Sequence, residues 1–310
     1  MNNTSSALSI RQSPIETSWP PLHYADWKDT LATLHMWTQV VGKIRMRQTP
    51  LVNHWWNVPL YVSARGLTTT AMPYGPRVFE IEFDFIDHKL RIECSDGALT
   101  TLALRPHSVS DFYAEVMAAL SGLGIEIKIW TMPVEVPNPI RFEDDKVHAS
   151  YDAEYANRFW RALVKMDDVL KEFRSGFIGK CSPVHFFWGS FDMAVTRFSG
   201  KIAPEREGAD LITREAYSHE VISHGFWPGN EGMEAAFYSY TAPEPAGLAQ
   251  AQVLPENAFY SSEMKEFFLP YEAVQQSANP EQTLMAFLNS TYEAGADSAG
   301  WDRQALERKP

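Results

Sequence analysis

The sequence predicts an α+β fold with two pseudo-repeated halves, each a mostly antiparallel sheet backed by helices. The pattern also allows the two sheets to join into one continuous curved sheet. Two observations carry the prediction. The order helix, strands, helix occurs twice along the 310 residues. In addition, "VGKIR" after the first helix resembles "IGKCS" after the second, and "HWWNVPLYVSARG" resembles "HFFWGSFDMAVTRFSG". These pairs indicate an internal duplication.

The first half is predicted over residues 21–130, behind a flexible N-terminal tail over residues 1–20. Apolar residues at helical spacing predict a helix over about 26–41, with Gly42 as its stop. In "HWWNVPLYVSARG" the residues of one face are apolar, and this alternation predicts a strand. The stretch "VFEIEFDFIDHKLRIECSDGALTTLAL" is typical of antiparallel strands with one face exposed to solvent. Ser108 with Asp111 forms a capping box that starts a second helix.

A Pro-rich and then acidic segment, residues 131–150, is the predicted linker. The second half follows over residues 151–300, with a C-terminal tail over 301–310. It begins with a helix over about 153–173 and continues with strands in "AYSHEVISHGFWPG" and "EAAFYSYTAPEP". Asn279-Pro280 provides the N-cap and first residue of a last helix.

Composition limits the class of protein. The chain is 45% hydrophobic and 21% charged, which indicates a globular fold, and its net charge of −12 with no basic run argues against a nucleic-acid partner. Its two cysteines exclude a disulfide framework and favour reduced thiols in a cytoplasmic protein. We expect no signal peptide and no membrane span, because no apolar run has the required pattern or length.

The blocks "LHMWTQVVGKIR", "NHWWNVPLYVSARGL", "FIGKCSPVHFFWGSFD" and "YTAPEPAG" resemble a family of bacterial proteins catalogued as domain of unknown function 5996. The resemblance covers the chain from about residue 19 to residue 308. The resemblance implies a soluble bacterial protein, and it implies no activity, cofactor or catalytic residue.

Three residues are candidates for catalysis. If residues 179–200 form one strand with a β-bulge at Gly189-Ser190, Asp192 faces the core, where a carboxylate must be paired or lie in a polar cavity. His185 falls on the same side, so His185 or its counterpart His54 could carry a proton with Asp192. A structural ion pair is the competing interpretation of Asp192, and a Gly-Ser hairpin turn is the competing interpretation of the bulge.

Two arginines are candidates for ligand binding. Arg65 and Arg197 each end the corresponding strand in its half, on the face away from the core, where a pair of them could clamp a carboxylate or phosphate. Ion pairs with neighbouring carboxylates at the sheet edge are the competing interpretation.

Lysines and tryptophans complete the predicted binding set. Lys43 and Lys180 each follow a glycine at a helix end and could supply secondary positive charge, although cations are ordinary at helix C-termini. Trp55 and Trp188 are the corresponding aromatic candidates. A metal site is a weak candidate at His219, Glu220 and His224, because their HExxxH spacing lacks the geometry of the HExxH motif. No motif indicates a cofactor.

These residues predict a small-molecule site between the halves, used for binding or catalysis on an anionic or aromatic ligand. A non-catalytic protein-interaction module is the alternative, because the chain is rich in aromatic and acidic residues. A metal-assisted hydrolase is the second alternative. The sequence predicts no oligomeric state.

Overall fold

A computed structural model describes residues 19–309. Within them the chain forms seven helices: α1 (Tyr24–Gln48), α2 (Val109–Gly122), α3 (Ala153–Ser175), α4 (Leu211–Ala216), α5 (Tyr271–Gln275), α6 (Pro280–Ser298) and α7 (Arg303–Leu306). The predicted tail over residues 1–20 lies outside the described residues except for Trp19 and Pro20, which are buried. None of the helices in this part of the chain combines the length and apolar content that crossing a bilayer requires.

The strands form two antiparallel sheets of six strands each, which confirms the α+β fold with two sheet halves. The first sheet has the order β1-β2-β4-β5-β6, with β3 paired to β4, and the second has the order β11-β12-β10-β9-β8-β7. The strands are β1 (Tyr61–Val62), β2 (Gly66–Thr68), β3 (Met72–Tyr74), β4 (Arg77–Asp84), β5 (Lys89–Cys94), β6 (Leu99–Ala103), β7 (His185–Phe187), β8 (Asp192–Ile202), β9 (His219–Trp227), β10 (Ala236–Ala242), β11 (Phe259–Ser261) and β12 (Glu266–Pro270).

The prediction of one continuous curved sheet is not supported, because the two sheets are separate in the described chain. Their edges meet at a single bridge, in which Leu60 and Phe186 exchange two backbone hydrogen bonds. The order helix, strands, helix does recur in both halves. The strand orders of the two sheets differ, so the internal duplication stays a prediction.

The first helix continues past its predicted stop at Gly42 and ends at Gln48. The ring of Trp188 packs directly on Gly42, where a Cβ would collide with the indole. The glycine therefore allows a close approach between α1 and the second half, and Lys43 lies inside the helix rather than after its end.

The stretch "HWWNVPLYVSARG" is not one strand. Residues Asn53–Trp55 form a 3-10 turn, and His54 and Trp55 have positive φ angles of 58° and 60°. Pairing begins only after Pro59, which has no N–H to donate to a neighbouring strand. The alternation of apolar and polar residues predicted one strand, and the structure has a turn followed by two short strands instead.

Residues 179–200 contain a hairpin, the second of the two predicted alternatives. β7 and β8 pair through His185 and Ala194, and residues 188–191 form the turn between them. The irregularity in β8 lies further on, between Phe198 and Ile202. The position of Asp192 therefore follows from the hairpin and not from a bulge.

The apolar core is one large cluster that draws residues from both halves, with two small clusters on the other face of the second sheet. α3 contacts α1, α6 and strands of both sheets. Residues 301–309, predicted as a tail, form α7 and pair with the chain after α3, where Ile178 N–H donates to Leu306 O at 2.8 Å. The predicted linker, residues 131–150, packs through the buried side chain of Phe142.

Candidate functional site

A cavity of about 390 Å³ lies between the two halves. α1 forms one wall, residues 135–140 of the predicted linker form another, and residues 190–191 and 227–230 of the second half close it. Small-molecule sites have volumes of about 300–1,000 Å³ and occur preferentially at interfaces between structural units. The cavity therefore has the size and place of a small-molecule site.

Backbone conformations that disfavour side chains concentrate around this cavity. Glu135, Asn138 and Phe191 line it and have φ angles of 57°, 50° and 58°. Asn tolerates such angles, but for Glu and Phe they are uncommon. Strained residues cost of order 1–3 kcal/mol each and cluster at ligand sites. Their concentration here is a second reason to regard the cavity as the candidate site.

Two side chains one turn apart on α1 hold the other walls in place. His35 Nε2 donates to the carbonyl oxygen of Gly189 at 2.7 Å. Gln39 exchanges two hydrogen bonds with the backbone of Val134, both 2.8 Å long. One face of α1 thus fixes both the linker and the β7–β8 turn.

His35 is a neutral positioning residue. A carbonyl oxygen can only accept, so Nε2 of His35 carries the proton that it donates to Gly189. Burial lowers the pKa of His35 to about 4, partly opposed by its backbone hydrogen bonds. The ring is therefore uncharged at neutral pH, and its function is to hold the turn.

Glu135 supplies a carboxyl group at the wall of the cavity. Glu135 is exposed to solvent. Its carboxyl group packs against Gly189, because a Cβ added to Gly189 would lie only 2.5 Å from Oε1 of Glu135. Partial burial, and then the charges of Asp192 and Asp210, raise the pKa of Glu135. None of the described residues that line the cavity is a lysine or arginine. The carboxyl group thus has negative neighbours and no lysine or arginine in the described cavity wall, where the imidazole of His148 pairs with Asp145 at 2.7 Å.

Asp192, whose charge acts on Glu135, also acts on a third carboxyl group, Glu266. Asp192 is buried and accepts hydrogen bonds from the hydroxyls of Ser190 and Tyr238. Burial raises the pKa of Asp192. Burial, and then the charge of Asp192, raise the pKa of Glu266 to about 7. Asp192 is thus joined to the cavity wall through Ser190, and its charge favours the protonated forms of Glu135 and Glu266.

Of the predicted site residues, the structure brings Asp192 and Trp188 next to the cavity. Asp192 is linked to it through Ser190, and Trp188 precedes Gly189 with its Nε1 donating to Val58 O at 2.8 Å. His185 does not join them. It is 1% exposed, neither ring nitrogen has a hydrogen-bond partner among the described residues, and burial lowers the pKa of His185 to about 3.

His54 and Lys180 come together from opposite halves at another place. Lys180 Nζ lies 2.5 Å from His54 Nε2, and His54 Nδ1 lies 2.9 Å from the carbonyl oxygen of Glu215. Trp56 and Phe198 flank both side chains. This contact is distinct from the cavity, because no residue in it lines the cavity.

The two arginines predicted as an anion clamp have different surroundings. Arg65 pairs with Asp84 at 2.6 Å and with Asp87 at 2.9 Å, as the interpretation of ion pairs at the sheet edge expects. Arg197 is buried toward the core, 3.5 Å from the ring centroid of Phe173, and burial lowers the pKa of Arg197 to about 10. Arg197 therefore does not face away from the core, since its side chain packs against α3.

Lys43 and Trp55 also lie outside the cavity wall. Lys43 is buried in α1, with Nζ 4.9 Å from the ring of Trp130 and 5.8 Å from that of Trp188. Burial lowers the pKa of Lys43 to about 8. Trp55 follows His54 in the 3-10 turn and has a buried Nε1 without a hydrogen-bond partner in the described chain.

The residues of the weak metal candidate do not converge. His219 and His224 are five positions apart on β9, so they face opposite sides of the sheet. His219 contacts Ser218, Glu220 accepts from Ser199 at 2.8 Å, and His224 is buried against Thr291. Within residues 19–309, no group of three or more His, Cys, Asp or Glu side chains is arranged to hold a metal ion.

The model of a family of unknown function (DUF5996) matches residues 19–308. The chain belongs to this family. No curated protein and no solved structure matches it. The match spans both sheets, the linker and the cavity, so the candidate site lies wholly within the DUF5996 region.

Sequence reasoning missed the residues of this DUF5996 protein that build the cavity, chiefly His35, Gln39, Glu135 and Trp227. Glu135 lies in a segment that composition assigns to a linker. One signal was present: long segments without secondary structure inside a compact fold are often functional. The length of this segment and its three prolines, Pro133, Pro137 and Pro139, indicated a wall of defined shape as well as a spacer.

Proposed function

We propose that this protein binds a small organic amine with an aromatic or other apolar part, in the cavity between its halves. The observation that carries the proposal is the carboxyl group of Glu135, which lines the cavity without a lysine or arginine beside it in the described wall. A protonated amine would supply the missing charge, and the raised pKa of Glu135 marks a carboxyl group that lacks such a partner.

The remaining wall suits the apolar part of such a ligand. Trp227 and Phe191 offer aromatic surface, and Leu31 and Met36 offer aliphatic surface. Aromatic faces also attract ammonium groups, typically by about 0.5–2 kcal/mol. The aromatic ligand expected from the sequence therefore fits this site, whereas an anionic ligand would meet the carboxyl of Glu135.

A thermal-shift screen with matched probes tests this proposal. Each pair shares a ring and differs in charge: tryptamine against indole-3-acetate, and phenethylamine against phenylacetate. We expect the amines to raise the melting temperature of the full chain and the acids to leave it unchanged. Stabilisation by the acids and not by the amines would contradict the proposal and favour an anion site.

A further inference from the structure

Lys180 is positioned by the strand beside it. Its carbonyl oxygen accepts from the N–H of Phe198 at 3.0 Å, and the next residue, Cys181, pairs with Arg197. Asp192, next to the cavity, is separated from Phe198 by about 20 Å of extended strand. The contact of Lys180 with His54 is therefore a separate place on the molecule, and its chemistry is independent of the amine site.

The proton arrangement of His54 is fixed by one residue of α4. The carbonyl oxygen of Glu215 can only accept, so Nδ1 of His54 carries a proton and donates it. In the neutral ring, Nε2 is then the acceptor, and it faces Lys180 Nζ at 2.5 Å. The backbone N–H of His54 donates to Glu215 Oε1 at 3.0 Å, so the turn itself is held as well.

This turn is strained. His54 and Trp55 are consecutive residues with positive φ, and Trp is a bulky residue for which that conformation is unusual. Such strain persists only where surrounding contacts impose it, and it is typical of functional sites. Here the contacts with Glu215 impose it, and its result is that the free nitrogen of His54 is directed at Lys180.

The surroundings of Lys180 combine access with reduced hydration. The residue is exposed, while its Nζ lies 5.4 Å from the ring centroid of Trp56 and 5.1 Å from that of Phe198. Partial burial lowers the pKa of Lys180, against the opposing charge of Glu215. Burial, and then the charges of Lys180 and His219, lower the pKa of His54 against the hydrogen bond to the Glu215 carbonyl, so its ring stays neutral.

We propose that Lys180 is a nucleophilic lysine with His54 as its general base, and that this site takes small aldehydes or ketones as covalently bound substrates. Lys180 Nζ, as the nucleophile, is hydrogen-bonded to the ring of His54, as the base. The ring is in turn oriented by its hydrogen bond to the Glu215 carbonyl. That arrangement is the usual signature of an activated nucleophile.

The covalent step balances without any further reactant. Lys180 gives one ammonium proton to His54 Nε2, and the freed lone pair attacks the carbonyl carbon. The C–N bond forms, the C=O π electrons move to oxygen, and His54 returns its proton to that oxygen. A second proton then leaves the nitrogen for the hydroxyl, and the lone pair that this frees forms the C=N bond and expels water. Ammonium plus carbonyl compound has become iminium plus water.

Reductive trapping on the full-length protein tests the proposal. Benzaldehyde and sodium cyanoborohydride convert any iminium to a stable secondary amine, and peptide mapping by mass spectrometry gives the labelling rate of each lysine. Lys89, an exposed lysine on β5, is the internal control. We expect Lys180 to be labelled at least about tenfold faster at neutral pH, because a positioned general base typically accelerates proton transfer by about 100-fold or more. Equal or slower labelling of Lys180 would overturn the proposal.

The role of His54 is tested by His54→Asn, because Asn tolerates positive φ and cannot reach Lys180 as a base. Labelling of Lys180 should fall at least about tenfold, because the general base is lost. Labelling of Lys89 in the same sample is the rate standard, and a cooperative thermal melt of the variant reports an intact fold. In the wild type, the pH at which the labelling rate rises should be lower for Lys180 than for Lys89. An unchanged Lys180 rate in the variant, or coincident pH profiles, would overturn the pairing.

Discussion

Leu60 and Phe186 exchange two backbone hydrogen bonds, each with 2.9 Å between nitrogen and oxygen, and so join the edges of the two sheets. Shortly after Phe186 the chain packs Trp188 on α1 and turns through Gly189 and Ser190 into the wall of the cavity. The junction between the halves therefore also sets the position of the candidate site.

Replacing Gly42 with Ala should destabilise the protein, although Ala is the better helix former by about 1 kcal/mol. A Cβ at this position collides with the indole of Trp188. We expect a loss of about 1–3 kcal/mol in the free energy of unfolding, measured by urea denaturation. Gly122→Ala is the matched control, because Gly122 also lies in a helix but has open space around it. A stabilising Gly42→Ala would show that the packing of Trp188 on α1 is wrong.

Glu266→Gln should make the protein more stable above neutral pH. Burial and Asp192 raise the pKa of Glu266 from its ordinary 4.5 to about 7, so ionisation costs stability as the pH rises through that interval. At pH about 8 we expect the variant to gain about 1–3 kcal/mol in urea denaturation, and at pH about 4 to gain nothing. Glu263→Gln, an exposed neighbour, is the control. A variant less stable than wild type at high pH would contradict the raised pKa.

His35→Ala should lower the free energy of unfolding by about 1–3 kcal/mol at neutral pH, because the carbonyl of Gly189 loses its donor. His35→Gln keeps an N–H donor and should lose less. The lowered pKa of His35 predicts a pH effect as well: wild-type stability falls as the pH drops from 6.5 towards about 4, where the buried ring must take up a proton. The variants should lack this part of the acid sensitivity, and an identical acid profile would contradict a neutral His35.

Binding of an amine should strengthen as the pH rises through the pKa of Glu135. That pKa is raised above its ordinary 4.5 in the free protein, and a cationic ligand binds the ionised form, so protonation competes with binding. Tryptamine stays protonated in this range, as alkyl amines do. Calorimetric titrations between pH about 4 and about 8 should show the rise in wild type and a flat profile in Glu135→Gln. Equal pH dependence in both proteins would assign the effect to another group.

Local rules predicted the regular elements well. The cap at Ser108, the N-cap of α6 at Asn279, α3, and the strands β9 and β10 are all present, because each depends on neighbours in sequence. The two sheet halves followed from the recurring order of elements. Such rules use only residues that are close in sequence, so they could not predict contacts between distant segments. Gly42 was predicted as a stop because its partner, Trp188, is far along the chain.

The site was harder to predict than the fold. The sequence predicts a site between the halves, and this stays a prediction. Asp192 was selected because it is a carboxylate at a position predicted to face the core. The cavity itself depends on His35 and Gln39 reaching the linker and the β7–β8 turn, and helical periodicity counts both merely as polar positions on α1. His54 and Lys180 were chosen separately, and only the folded chain brings them into contact.

Calorimetric titration of tryptamine against wild type, Glu135→Gln and Glu263→Gln tests the central claim, that the cavity binds amines through Glu135, most directly. The account predicts that wild type and Glu263→Gln bind equally, and that Glu135→Gln binds at least about tenfold more weakly, which corresponds to about 1.4 kcal/mol. Equal binding by all three proteins, or tighter binding of indole-3-acetate than of tryptamine by wild type, would contradict it.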